Sequence, residues 1–399
     1  VLSADPRRGG QIPSDLRQQN RSLILRQIAT GQGASRAGLA RATGLTKTTL
    51  GKIVAELIEQ DLVYEQIVQP SAGGQPGRRP VRLEIGPRSP GLVGLLLRRG
   101  VNTGIIADLS GRILARQEQL TGDHLTGDIL IDQLLTLVDN LRQACPRRLL
   151  AIGIASIGPV DQTGGRLVNP PNYHGIHDLP LVAAISARTG LPAWLIQDAD
   201  AGALAEKLYG AGQELAHFLY VHIMNGIGAG YILQHQLFAG DSGRGGEIGH
   251  TSICFDGPVC ACGGRGCLEV YANLSRMNAA LAGLRGDGPA LSWAQIIASD
   301  AADVTAVRAE FCGYVEQALA NAISLLDARQ IFIGYDGAAT GLTIEQMLTE
   351  RLNRRLFLTH SGPIAVRRSS FGGDAPLVGA VAFVADRVFR GLLKTPGQG

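Results

Sequence analysis

No run of about 18 apolar residues occurs anywhere in the chain, which excludes a membrane-spanning helix. Arg7 and Arg8 lie near the start but no apolar segment follows them, so no secretory signal is expected and the cytoplasm is the expected compartment. Val1 stands where Met would begin a nascent chain, as expected of processing or truncation. Charged residues make up only 18% against 45% apolar ones, which excludes a disordered chain, and collagen and coiled coil are equally poor fits. Cysteine is scarce and unevenly placed. Cys145 and Cys312 stand alone, while Cys254, Cys260, Cys262 and Cys267 fall within fourteen residues. A cytosolic chain does not use such a cluster for disulfides, so metal or redox chemistry is expected.

The 399 residues are long enough for two or three domains with a sizeable core. The net charge of +3 hides an asymmetry: residues 1–90 hold 13 Lys and Arg against 7 Asp and Glu, and the remainder 24 against 27. A basic head on a mildly acidic body fits an anionic partner such as DNA, or a solvated surface that is simply basic.

Within residues 14–85, Leu16, Leu23, Ile24 and Ile28 recur at helical spacing up to Gly31. Ser35 can cap a short second helix, Gly44-Leu45 makes a turn, and Thr46 can cap a third helix from Lys47 to about Gln60. That helix carries Leu50, Ile53, Val54 and Leu57 on one face. Two short helices joined by a Gly turn form a helix-turn-helix, whose second helix enters the major groove by its N-terminus. Here that end reads Thr46, Lys47, Thr48, Thr49, with Lys52 a turn later and no carboxylate before Glu56. Leu62–Tyr64 and Val81–Leu83 read as strands around a Gly- and Pro-rich wing bearing Arg78 and Arg79, which can reach phosphates or the minor groove. The expected DNA contacts are therefore Ser35, Thr46, Lys47, Thr48, Thr49, Lys52, Arg78 and Arg79. The alternative is a three-helix protein-docking module.

After a linker at Pro87–Pro90, the body repeats one plan. Leu92–Leu97, a turn at Arg98-Arg99-Gly100, Thr103–Ala107 and a third strand from Arg112 to Glu118 precede helical segments. Phe218–Ile223, a Gly-rich turn over Asn225–Gly230, Tyr231–Leu233 and a short strand near Leu237 repeat it. A duplicated α/β fold with a cleft between two lobes is expected, over 91–205 and 206–390, with the C-terminal helix able to return to the first lobe. Glycine turns bring backbone N–H groups to phosphates; Asn225–Gly230 suits that and the arginine turn does not.

His250, Cys260, Cys262 and Cys267 offer one imidazole and three thiolates, the ligand set of a closed tetrahedral Zn²⁺ site, with glycines that let the chain wrap the ion. Four protein ligands leave no open position, so such a zinc is structural. The alternative is a set of buried thiols.

Gly249-His250 followed by Cys260-Ala261-Cys262-Gly263-Gly264-Arg265-Gly266-Cys267-Leu268-Glu269 resembles the signature of the ROK family (repressors, open reading frames, kinases). The resemblance runs from about residue 14 to 390. It takes in Ser156–Asp161, Asn169–Asn172, Asp198–Ala201, Glu247–His250 and Gly373–Ala380. A winged helix-turn-helix ahead of this body is similar to the family's repressor branch, with its xylose and N-acetylglucosamine regulators. The resemblance implies an actin-like, sugar-kinase-like (ribonuclease H-like) two-lobe fold. It also implies sugar contacts at Asn172, Asp198, Glu247, His250 and Glu269, all of which match. ROK kinases carry Asp-x-Gly-Gly-Thr in their first phosphate loop. The aligned residues here are Leu96-Leu97-Arg98-Arg99-Gly100, so the acidic residue is missing and arginines replace glycines. The later Gly-Gly near the adenosine reads Gly334-Tyr335. Phosphoryl transfer depends on metal-assisted charge neutralisation, so no kinase activity is expected.

The expectation is a sugar-responsive repressor that binds double-stranded operator DNA as a homodimer or homotetramer. The rivals are a sugar kinase with a DNA-binding head and a repressor controlled by protein docking.

Overall fold

The computed structural model describes residues 13–33, 35–67, 81–122, 124–170, 173–224, 226–241, 243, 245–286, 288–337, 343–360, 362–393 and 395. The described residues begin with three helices, α1 (Pro13–Ala29), α2 (Arg36–Thr43) and α3 (Lys47–Glu59), followed by the antiparallel pair β1 (Val63–Ile67) and β2 (Val81–Ile85). Gly44 ends α2 at φ +68, and Thr46 caps α3 by accepting from the Thr49 N–H. Leu50, Ile53, Val54 and Leu57 are buried as their spacing requires. On α1 the buried face runs through Arg21, Ile24, Leu25 and Ile28, an i, i+3, i+4, i+7 set, so Leu16 and Leu23 face solvent instead of the core. The wing with Arg78 and Arg79 lies outside the described residues.

The first half of the body contains β3 (Gly91–Leu97), β4 (Val101–Ala107), β5 (Ile113–Leu120), α4 (Gly127–Ala144), β6 (Leu149–Ser156), β7 (Val160–Asp161), β8 (Arg166–Leu167), α5 (Leu181–Thr189), β9 (Ala193–Gln197) and α6 (Asp198–Leu208). The second half contains β10 (Phe218–Ile223), β11 (Ile227–Leu233), β12 (Gln236–Phe238), α7 (Leu268–Tyr271), α8 (Leu274–Arg285), α9 (Trp293–Ala298), α10 (Ala302–Leu326), β13 (Gln330–Gly334), α11 (Ile344–Asn353), α12 (Leu356–Thr359), β14 (Ala365–Arg368) and α13 (Ala375–Phe389).

The sheets run β5-β4-β3-β6-β9 and β12-β11-β10-β13-β14. In each, an antiparallel three-strand meander is extended by two parallel strands, so the duplication read from the sequence is present strand for strand. The last helix of each half crosses over. α6 leaves the first sheet to pack on β10 and β11, and α13 leaves the second to pack on β3 and β6. The two helices cross against each other, and Gly379 makes room: a Cβ there would sit 1.8 Å from the Ala201 carbonyl oxygen.

One expectation changes. The Gly-rich stretch 225–230 is not all turn; β11 begins at Ile227, and Gly228 and Gly230 pair with His222 and Tyr220. Their lack of side chains lets α6 approach, since a Cβ on Gly230 would meet the Ala199 carbonyl at 2.5 Å.

The core of the head is continuous with that of the body. Ile24, Leu25 and Leu39 belong to the same buried cluster as Leu92, Leu96, Val384 and Val388. Arg21, buried on α1, donates to Gln60 and to Thr395 beyond α13. The head thus rests on the helix that crosses back between the sheets.

Candidate functional site

A cavity of about 720 Å³ opens between the two sheets. Asp198, Glu247, His250 and Glu269 all line it, although they come from the start of α6, the 3₁₀ turn Ile248–His250 with its preceding residue, and α7. Asn172, the fifth expected sugar contact, lies outside the described residues; Asn169 of the same segment is on the wall.

Asp198 accepts a hydrogen bond from the Ala199 N–H at 2.8 Å. Burial, reinforced by Glu247 nearby, pushes its carboxyl up to about 7. Asp200, two residues on and buried, is raised well above its ordinary value for the same reason, with Asp198 and Glu247 adding to it. Glu247 Oε1 accepts from Gln197 Nε2 at 3.0 Å, and Glu269 Oε2 accepts from the Ile227 N–H at 3.1 Å. Gln197 thereby joins the end of the first sheet to the second lobe, and its own Oε1 is buried without a partner among the described residues. Acceptors crowd this wall. It suits a ligand rich in hydroxyl donors.

The rest of the lining differs. His222 on β10 is buried, and burial, with Arg98 nearby, lowers it to about 3, so it is neutral. Tyr220 Oη lies 3.3 Å from its Nδ1. Arg98, from the turn after β3, reaches across to Asp336 (3.5 Å) and Asp374 (3.4 Å) and donates to the Gly373 carbonyl at 3.2 Å. The β3–β4 turn therefore carries a guanidinium paired with protein carboxylates. Sequence reasoning noted Arg98 only as bulk. Its partners, together with Gln197 and His222, went unread because each contact joins distant parts of the chain.

His250, Cys260, Cys262 and Cys267 bring their ligand atoms within 4.8 Å of one another. His250 Nδ1 is 3.6 Å from Cys260 Sγ, and Cys262 and Cys267 Sγ atoms are 3.7 Å apart. Two sulfurs each at about 2.3 Å from one zinc at the tetrahedral angle stand roughly 3.8 Å apart, so the four residues can hold a metal ion of that kind. The loop closes tightly: Gly266 adopts φ +62, and a Cβ there would sit 1.6 Å from the Cys254 carbonyl oxygen. His250 and Cys262 also line the cavity, and Glu269 follows Cys267 by two residues, so the His-Cys₃ loop braces the acceptor wall.

On the head, Thr46, Lys47, Thr48, Thr49 and Lys52 are exposed at the start of α3. Thr46 Oγ1 bonds Thr49 Oγ1 and the Thr49 N–H, so the two threonines order the helix start. Ser35 is half-buried and accepts from the Gly38 N–H as the cap of α2.

A sequence model of the ROK family matches residues 100–387. The xylose repressor of Bacillus subtilis is 30% identical over 378 residues, spanning 93% of this chain and 96% of that protein. A crystal structure described as a ROK family transcriptional regulator, a homologue of the Escherichia coli MLC protein, superposes with a TM-score of 0.74 at 26% identity and covers 94% of this chain and 98% of its own. The ROK hexokinase of Thermus thermophilus gives 0.61 at 27% identity, over 74% of this chain and 99% of its own. With its duplicated sheets, its His-Cys₃ loop and a family match over most of its length, this chain belongs to the ROK family.

Proposed function

We propose that the protein is a sugar-responsive transcriptional repressor of carbohydrate-utilisation genes, not a kinase. The observation that carries this reading is the cavity. Its acceptor wall of Asp198, Glu247, His250 and Glu269 is open to a polyol, while Arg98 takes up the carboxylates on the side where phosphates would sit. Similarity over nearly the whole length to the xylose repressor of Bacillus subtilis supports it. Residues 14–85 form the DNA-reading head, with Lys47, Thr48 and Lys52 presented to the major groove, Thr46, Thr49 and Ser35 ordering the helices that present them, and Arg78 and Arg79 on the wing. The lobes span 91–205 and 206–390. A structural Zn²⁺ on His250, Cys260, Cys262 and Cys267 fixes the loop and orients His250 and Glu269 toward ligand. The chain works as a homodimer or homotetramer on a two-fold operator.

Sugar hydroxyls inserted between Asp198 and Glu247 replace the Gln197–Glu247 hydrogen bond and change the angle between lobes. The shared core of head and α13 carries that change to the DNA heads. Coupling of this kind requires unequal sugar affinity for the two arrangements. No helix among the described residues is long and apolar enough to cross a membrane.

The test is a gel shift on DNA upstream of the protein's own gene at fixed salt, with a panel of pentoses, hexoses, amino sugars and disaccharides. Specific binding altered by one sugar is expected. Specific binding that no sugar alters, but that a partner protein relieves, favours control by docking. ADP release dependent on both ATP and a sugar overturns the non-enzymic reading.

A further inference from the structure

We infer that Arg98 is a positioning residue that sets the separation of the two lobes, acting as an internal ligand for the second lobe. The inference does not depend on which molecule fills the cavity. Arg98 belongs to the β3–β4 turn of the first sheet, yet its guanidinium bonds only second-half groups among the contacts above: Asp336 just past β13, and Gly373 and Asp374 where the chain leaves the second sheet for α13. Those groups form one packed unit, since a Cβ on Gly373 would fall 1.7 Å from Asp336 Oδ1. Arg98 is 17% exposed, so its charge is largely withdrawn from water and needs these partners. Asp374 is held a second time, by both Nη atoms of Arg116 on β5, at 2.6 and 3.3 Å. One aspartate at the root of α13 is thus gripped by two arginines of the first sheet.

Gln197 and Arg98 thus both join the lobes at the cavity. Gln197–Glu247 lies within the acceptor wall, where an entering ligand competes for it. Arg98, at the same cavity, holds the second half by three contacts, to Asp336, Gly373 and Asp374. The single Gln197 contact is placed to yield and the Arg98 cluster to hold, so Arg98 acts as the fixed point about which the lobes open.

Hydrogen–deuterium exchange on the full chain, without added ligand, tests this. In Arg98→Met and Asp336→Asn, amides of residues 226–230 and 247–250, which do not touch Arg98, exchange about tenfold faster as the cleft opens. The amides inside β3 and β6 stay unchanged. Arg98→Lys restores part of the protection, and Arg188→Met, which removes a pair confined to the first half (Arg188–Asp132), has no effect. Raising NaCl to about 0.5 M moves the wild type in the same direction as the variants, because these carboxylates are partly open to screening. Faster exchange limited to residues beside Arg98, or an equal rise throughout both sheets, assigns it an ordinary packing role and overturns the inference. If Arg98→Met does not fold, Asp336→Asn carries the same test.

Discussion

Asp198 and Asp374 stand at equivalent places in the two halves, each at the start of the helix that crosses from one sheet to the other. Their surroundings differ. Asp374 is paired with Arg98 and Arg116. Asp198 accepts from the Ala199 N–H, with Glu247 and Arg98 nearby, and burial raises it to about 7. Duplication supplies two matching seats at the cleft, and the hairpin turns decide their fate. In one turn an arginine fills the seat from within the protein; beside the other, Gly228 brings no side chain to Asp198.

The largest expected effect comes from removing both seats at once. Gly379→Val drives a side chain into the Ala201 carbonyl where α6 and α13 cross, and is expected to cost at least about 3 kcal/mol or abolish folding. Urea unfolding measures it, and a shift under about 1 kcal/mol would mean that the crossing is looser than described.

Cys267→Ser breaks only the Asp198 seat. Metal content, expected at about one zinc per chain by mass spectrometry, falls toward zero. The β10–β11 turn, whose Ile227 N–H is held by Glu269, loses hydrogen-exchange protection. The Asp374 side keeps its protection; if both sides loosen together, the two seats are not independent.

The subtlest test sets Asp198→Asn against Asp374→Asn across pH. An aspartate raised in the fold from its ordinary 3.8 to about 7 favours the neutral form, so its contribution is full below pH ~4 and is lost as pH rises through about 7. Asp198→Asn therefore gains stability relative to wild type between pH 5 and pH 8 in urea midpoints. Asp374→Asn loses about 1 kcal/mol, less at high salt, because its pairs are partly exposed. Matching pH trends in the two variants would erase the contrast.

Much of this was legible in the chain. The helix α3 follows from Leu50, Ile53, Val54 and Leu57, and the metal loop from four ligands within 18 residues, because both depend on neighbours in sequence. The repeat of strand, turn and strand was legible because two sheets of one order impose it. That Asp198, Glu247, His250 and Glu269 share one cavity had no spacing rule behind it; only the family resemblance grouped them.

Local periodicity and ligand spacing, then, determined the head helices, the three-strand meander of each half and the cysteine loop, since each is built from segments that are neighbours in sequence. Tertiary structure alone decided that Leu16 and Leu23 face outward, that Gly228 and Gly230 serve helix packing, and that Arg98 meets Asp336 across 238 residues of chain. Those outcomes depend on which sheet faces which helix, and only the crossing of α6 and α13 brings those surfaces together.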